Sequence, residues 1–183
     1  MLRIRFLWIG RTQEAYLREG LKIYQQRLQH YAHIVTEEIK PQRRWQSLPE
    51  ITRKQAETKA LQERLLPGEQ CILLDEQGQK LDSIRLSHWL ENFHLQSVPQ
   101  ITFMVGGPYG VARESFPQQT KHLSLSPMTF SHQISTVGTF WMKMEEKCTI
   151  WREYDKGGIR WKTFYPIKLK FLFFCKFLAG KVV

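Results

Sequence analysis

The sequence is poor in cysteine, and its cysteines form no recognisable pattern. Three of the 183 residues are cysteines, at positions 71, 148 and 175, and no C-x-x-C pair is present. This spacing excludes a disulfide framework and indicates reduced thiols in a cytosolic protein. The six histidines are scattered without a cluster of further ligands, so the sequence also predicts no metal site.

Long apolar runs are missing as well. No stretch approaches the roughly 20 apolar residues that a transmembrane helix needs. The opening segment MLRIRFLWIG is interrupted by Arg3 and Arg5, and no small-residue cleavage site follows it, which argues against a secretory signal peptide. With 42% hydrophobic residues and no repeat or low-complexity linker, the chain is expected to form one globular domain in the cytoplasm, without a membrane partner.

Acidic residues are outnumbered, and the formal net charge is +10. Residues 1–133 contain 17 Lys and Arg against 13 Asp and Glu, whereas residues 134–183 contain 10 against 4, so most of the excess lies in the last 50 residues. Before that, one basic patch stands out, KPQRRWQ at 40–46, where Trp45 follows Arg43 and Arg44. Charge patterning alone leaves two interpretations open, a nucleic-acid contact and a solvated loop.

The hydrophobic periodicity predicts an α/β domain with a largely parallel sheet, because strands alternate with helices along the chain. The predicted strands cover residues 2–9, 32–39, 70–75, 100–105 and 121–126, and the predicted helices cover roughly 13–29, 53–66 and 82–93. Residues 76–80, EQGQK, are expected to form the turn after the third strand. Asp82 or Ser83 is the expected cap of the third helix, whose apolar face is predicted to contain Ile84, Leu86, Trp89 and Leu90.

A glycine-rich loop, VGGPYG at 105–110, follows the predicted strand 100–105. Ligands of parallel α/β sheets bind at the carboxyl ends of the strands, and glycines there allow the backbone to approach a ligand closely. Two other predicted strands end in LLD at 73–75 and LSLSPMTF at 123–130, so three strand ends could converge on one pocket. The loop matches neither the common phosphate-binding motifs nor a nucleophile elbow. The residues alone therefore leave open a ligand pocket and a chemically silent turn.

Four segments together resemble the RlmH family, the SPOUT-class ribosomal RNA large subunit methyltransferases H. They are IGRTQEAYLREGLKIYQQRLQHY, LLDEQGQ, VGGPYGV and LSLSPMTFSHQ, which occur in this order within residues 1–133. The resemblance implies an α/β-knot fold, with a parallel sheet flanked by helices and a trefoil knot near the carboxyl end. It further implies a homodimer that uses S-adenosylmethionine to methylate N3 of pseudouridine 1915 in 23S large-subunit rRNA within the ribosome.

The same resemblance assigns the cofactor-binding residues by motif. They are Leu74, Gly106, Leu125, Ser126, Pro127, Met128, Thr129 and Phe130. Pro127 occupies a variable position of its motif and offers only its carbonyl group, since proline has no N–H. Valine in place of Gly106 is expected to intrude on the cofactor pocket and abolish cofactor binding while leaving the fold largely intact. No residue is assigned as catalytic.

The resemblance stops after Gln133. Family members continue with an arginine-bearing helix and end on Tyr-His, whereas this chain has no histidine after His132 and reads FLFFCKFL near its end. We therefore expect a methyltransferase domain at 1–133 and a divergent tail at 134–183. A shifted reading frame is the preferred origin of this tail, and a genuine extension is the alternative. The corresponding alternatives for function are an impaired remnant of the enzyme and a non-enzymatic ribosome- or RNA-binding protein.

Overall fold

The three-dimensional structure is a computed structural model that describes residues 2–125. Its centre is a five-stranded sheet in the order β2-β1-β4-β3-β5, with every neighbouring pair parallel. The predicted α/β class with a parallel sheet is therefore confirmed. The elements are β1 Arg3–Ile9, α1 Ala15–Leu28, β2 His33–Ile39, α2 Glu50–Gln62, β3 Gln70–Lys80, α3 Ser83–Leu95, β4 Ile101–Val105 and β5 Lys121–Ser124, with 3₁₀ helices at Arg43–Ser47 and Arg113–Ser115.

The sheet is covered on both faces, as expected for parallel strands connected by helices. All five residues of β4 are buried, and so are the last six residues of β1. One face packs against α1 and α3 and forms the larger core cluster, which includes Phe6, Trp8, Leu17, Leu90 and Phe103. The other face packs against α2 and the segment after β4, in a cluster that includes Leu7, Leu61, Met104, Val111 and Phe116.

The third helix shows where the predicted helical face was right and where it was wrong. The side chain of Asp82 accepts a hydrogen bond from the Arg85 N–H at 2.8 Å, which confirms Asp82 as the N-cap. Leu86 and Leu90 are buried as predicted, but Ile84 is 56% exposed. Because Ile84 precedes Leu86 by two positions, it lies about 200° away around the helix axis and faces outward.

The predicted turn at 76–80 is wrong, because β3 continues through it to Lys80. The register shifts between Leu74 and Gln79, which both pair with Leu123 of β5, so residues 75–78 form a bulge. A Cβ at Gly78 would lie 2.6 Å from the Leu123 nitrogen. A residue without a side chain is therefore needed where β3 begins to pair with β5 again after the bulge. The glycine and its polar neighbours thus mark a bulge at the carboxyl end of the sheet.

The basic segment before α2 is ordered around its tryptophan. Trp45 is buried within the 3₁₀ helix, while Arg43 and Arg44 are exposed. The helix that follows begins at Glu50, three residues earlier than predicted, and ends at Gln62, before Pro67. The segment is therefore an anchored turn that holds two arginines at the surface.

No helix within residues 2–125 is long and apolar enough to cross a membrane. The predicted trefoil knot near the carboxyl end and the predicted tail at 134–183 fall outside the described residues.

Candidate cofactor site

Three strand ends meet at the carboxyl edge of the sheet, where the sequence predicts a pocket. β3 lies between β4 and β5, and Leu74 pairs with both Val105 and Leu123. Leu74 and Leu125 are partly buried against the same core cluster, and Gly106 follows Val105 directly. The structure therefore brings together Leu74, Gly106 and Leu125. The other five predicted cofactor contacts, Ser126, Pro127, Met128, Thr129 and Phe130, lie outside the described residues.

The glycine loop closes in a tight turn. The Gly107 carbonyl accepts a hydrogen bond from the Gly110 N–H at 3.0 Å, and the same two residues form an isolated antiparallel bridge. Pro108 stands at the second position of this turn, where its fixed φ is favourable. Gly110 has a φ of +74°, whereas Tyr109 is not in the positive region, which is the pattern of a type I turn followed by a left-handed glycine. The loop is thus a defined turn whose exposed tip is formed by residues 108–110.

The first two glycines of the loop are buried and have no space for a side chain. A Cβ on Gly106 would lie 2.7 Å from Val111 Cγ1 and 2.9 Å from the carbonyl carbon and oxygen of Gly110. A Cβ on Gly107 would collide with the carboxylate of Glu57, whose Cδ would be 2.9 Å away. A larger residue at Gly106 would therefore meet the loop itself. The predicted effect on cofactor binding would thus act through a displaced loop.

Helix α2 supports the loop from the face of the sheet that it covers. The Glu57 side chain is fully buried, at 0% exposure, and its Oε1 accepts a hydrogen bond from Arg53 Nε at 2.9 Å. Its Oε2 has no hydrogen-bond partner among the described residues and lies against Gly107. Beyond the turn, the Ala112 N–H donates to Thr58 Oγ1 at 2.9 Å. Consecutive residues of α2 therefore contact the loop on both sides of its turn.

Sequence reasoning missed Glu57 and Thr58. In the sequence, Arg53 and Glu57 are an ordinary i,i+4 pair of the kind found on solvent-exposed helix faces. Only the packing of α2 against the loop shows that this carboxylate is inside the protein.

A second polar group connects the three segments of the site. Asp75 Oδ2, in the bulge of β3, forms an ion pair with Arg113 Nε at 2.7 Å and lies 3.7 Å from His122 Nδ1 on β5. Arg113 also donates from Nη1 to Gln77 Oε1 at 2.7 Å. Arg113 follows the glycine loop, so this cluster joins that segment to β3 and β5. Asp75 belongs to a recognised motif, but Arg113 and His122 are isolated polar residues that nothing in the sequence singles out.

A separate buried network surrounds Arg5 on the face covered by α2. Arg5 Nη2 lies 2.5 Å from Glu37 Oε2, and Arg5 Nη1 donates to the Arg64 carbonyl at 2.8 Å. Burial alone would raise the pKa of Glu37, but hydrogen bonds and charge attraction from Arg5 and Arg64 outweigh it and hold that pKa below its ordinary value. Nearby, burial and the Glu69 carboxylate raise the pKa of the Cys71 thiol to about 11, so Cys71 is poorly suited to act as a nucleophile.

Within residues 2–125, no three His, Cys, Asp or Glu side chains are grouped so that they could hold a metal ion.

Comparison with known proteins agrees with this arrangement. The family model described as a predicted SPOUT methyltransferase matches residues 2–139. Proteins named ribosomal RNA large subunit methyltransferase H are similar over most of this chain. The protein from Parabacteroides distasonis is 35% identical over 134 residues, which cover 73% of this chain and 85% of the relative. The protein from Acetivibrio thermocellus is 33% identical, covering 73% and 86%, and that from Cytophaga hutchinsonii is 36% identical, covering 70% and 83%.

The family match spans the whole sheet, the glycine loop and the three strand ends described above. The chain therefore belongs to the SPOUT methyltransferase family and is a relative of the ribosomal RNA large subunit methyltransferases H.

Proposed function

We propose that the protein is a methyltransferase that uses S-adenosylmethionine to methylate N3 of a pseudouridine in large-subunit rRNA. The observation that carries the proposal is the convergence of Leu74, the glycine loop and Leu125 at the carboxyl edge of the parallel sheet, in a chain of this family. The names of its relatives supply the class of RNA.

The described part of the site fits a cofactor that has both apolar and polar groups. Leu74 and Leu125 are only partly buried and offer apolar surface at the strand ends. Gly106 packs against Val111 and the Gly110 carbonyl, so we propose that it acts by fixing the position of the loop's main-chain groups at the edge of the site. We propose that Ser126, Pro127, Met128, Thr129 and Phe130 complete the site.

These residues would align the methyl donor with the acceptor nitrogen. S-adenosylmethionine supplies a methyl carbon that is already activated by a sulfonium group. The protein then has to place the acceptor nitrogen in line with that carbon and to exclude water, and a loop held in one conformation serves this purpose. The contacts from α2 and the Asp75–Arg113 ion pair hold the loop and the neighbouring strand ends in position.

Pseudouridine N3 is a weak acid that must lose its proton before or during transfer, so a base or a stabilised anion is required. Asp75 is engaged in an ion pair with Arg113, and no described residue is assigned as this base.

We further propose that residues 1–133 form the methyltransferase domain and that residues 134–183 are a divergent tail that originated from a shifted reading frame. The match to the family model ends at residue 139, close to the boundary proposed from the motifs. In this proposal the tail lacks the residues that family members place near the target base. The chain then requires a family-type carboxyl end for full activity, as a cytoplasmic homodimer.

The test is a comparison of two proteins on the same substrate. The native chain and a chimera with a family-type carboxyl end after Gln133 are each titrated with S-adenosylmethionine by calorimetry, and methyl incorporation into ribosomes is then measured. We expect both to bind the cofactor and only the chimera to reach full activity. No cofactor binding by either folded protein would overturn the proposed activity, whereas equal activity would overturn the frameshift proposal alone.

A non-enzymatic RNA-binding protein is the second candidate, and the exposed Arg43 and Arg44 favour it. Salt-dependent binding to ribosomes, without cofactor binding or methyl incorporation, would support this alternative. Sedimentation analysis of the same preparations tests the homodimer.

A further inference from the structure

Tyr109 is the most prominent side chain at the tip of the glycine loop. It is 42% exposed, although it lies four residues after the buried strand β4. The turn that presents it is closed by the Gly107–Gly110 hydrogen bond, and Gly106 and Gly107 at its start are themselves tightly packed. The ring is therefore held outward by a defined backbone.

Arg53 of α2 lies over the Tyr109 ring, with its guanidinium carbon 5.2 Å from the ring centroid. This is within the range of a cation–π contact. The guanidinium is fixed by its bond to the buried Glu57 carboxylate, so a chain of contacts runs from Glu57 through Arg53 to Tyr109. Among residues 2–125, Arg53 is the only cation or ring in such contact with Tyr109.

Further basic residues lie on α2 and on the 3₁₀ helix before it. The 3₁₀ helix that exposes Arg43 and Arg44 packs against α2, the helix that carries Arg53 and Lys54. Glu57 is paired with Arg53 and buried, so it offers no exposed negative charge. An exposed aromatic ring and the exposed arginines of a segment that packs on α2 are the kinds of side chain that proteins use to bind unpaired nucleotides.

We propose that Tyr109, backed by Arg53, is a stacking platform for an unpaired base of the RNA substrate at the rim of the cofactor site. The proposal rests on the proposed function, since it takes the substrate to be RNA. Stacking of a base on the ring, with phosphates near Arg43 and Arg44, would orient the target nucleotide next to the glycine loop. Base stacking tolerates any sequence, so the platform contributes to affinity and position more than to sequence choice.

The experiment measures the affinity of purified full-length protein for a short oligouridine and for an abasic oligonucleotide of the same backbone and length. Replacing Tyr109 with leucine removes the π face but keeps an apolar side chain, and we expect roughly 5- to 100-fold weaker binding to oligouridine. Tyr109→Phe should bind oligouridine about as well as the native protein, and Tyr109→Trp should bind it more tightly. All four proteins should bind the abasic oligonucleotide equally, because it retains only the phosphates.

Several outcomes would overturn the platform. Equal affinity of all variants for oligouridine would show that no base stacks on Tyr109, while leaving the methyltransferase proposal standing. A change of oligomeric state in Tyr109→Leu, without a change in RNA affinity, would assign the ring to a contact between protein copies. If the leucine variant fails to fold, Tyr109→Trp provides the test. Stacking predicts that this variant binds oligouridine more tightly than the native protein does and binds the abasic oligonucleotide equally well.

The experiments distinguish failure of the stacking platform from failure of the proposed methyl transfer. Tyr109-dependent binding to oligouridine in a protein that binds no S-adenosylmethionine would support the platform and overturn the proposed methyl transfer. Absence of any RNA binding by the native protein would overturn both.

Discussion

Replacing Gly106 with alanine adds one methyl group at a crowded point of the predicted cofactor site. The new Cβ would lie 2.7 Å from Val111 Cγ1 and 2.9 Å from Gly110 carbonyl atoms, and ordinary contact begins at 3.4 Å. The neighbours must therefore withdraw by about 0.5 to 0.7 Å, the difference between these distances. Since two of the three contacted atoms are main-chain atoms of the turn, the loop itself has to move.

Overpacking of this kind typically costs about 1–3 kcal/mol of folding free energy. For a chain of this size, such a loss lowers the melting temperature by roughly 2–12 °C. Because the displaced atoms belong to the glycine loop, we also expect S-adenosylmethionine to bind at least about tenfold more weakly, in line with the sensitivity of aligned sites to small displacements.

Gly20 provides the matched control. It lies within α1, and a Cβ there meets nothing within 4 Å. Gly20→Ala should stabilise the protein by about 0.5–1 kcal/mol, because glycine in a helix interior is unfavourable relative to alanine. Thermal unfolding and calorimetric titration of both variants should then show opposite shifts in melting temperature and a loss of cofactor affinity in Gly106→Ala alone. Unchanged stability and cofactor affinity in Gly106→Ala would refute the reasoning.

Three further outcomes are expected. Replacing both Arg43 and Arg44 with alanine should weaken the salt dependence of binding to single-stranded RNA. The slope of log affinity against log salt should fall in magnitude by about 1.4, since each phosphate contact contributes about 0.7. An unchanged slope would mean that neither arginine contacts phosphate. Cys71, with its pKa raised to about 11 from an ordinary 9.0, should be alkylated at least about tenfold more slowly at pH 8 in the folded protein than in urea, because fewer thiolates outweigh their greater nucleophilicity; mass spectrometry of its peptide can show this. Because the pKa of Glu37 is lowered by folding, its stabilising contribution is present above pH 4.5 and is lost as the pH falls through the folded value. Glu37→Gln should therefore lose less stability on acidification than the native protein, and parallel pH profiles in urea unfolding would count against the ion pair.

Local patterns in the sequence determined the elements of this fold. The positions of β1 and β4 and the helical spacing of Leu17, Leu21 and Leu28 followed from hydrophobic periodicity, which needs no long-range information. The Asp82 cap is likewise a local hydrogen bond. The four motifs in their order also indicated the family, which the family model confirms.

The tertiary structure decided which elements are neighbours and what the polar residues do. No local signal could place β3 between β4 and β5, because that arrangement depends on chain crossovers that join residues far apart in sequence. The turn signals at 76–80 marked a bulge, since pairing with β5 outweighed the local preference of Gly78 and its neighbours.

The sequence also did not show which residues support the glycine loop, because they too are far from it in sequence. Glu57 and Arg113 are ordinary charged residues in the sequence, and each acquires a role only when packing brings it to a loop or strand about 40 to 50 residues away. A charged side chain becomes part of a site through its burial and its partners, and both are properties of the folded chain alone.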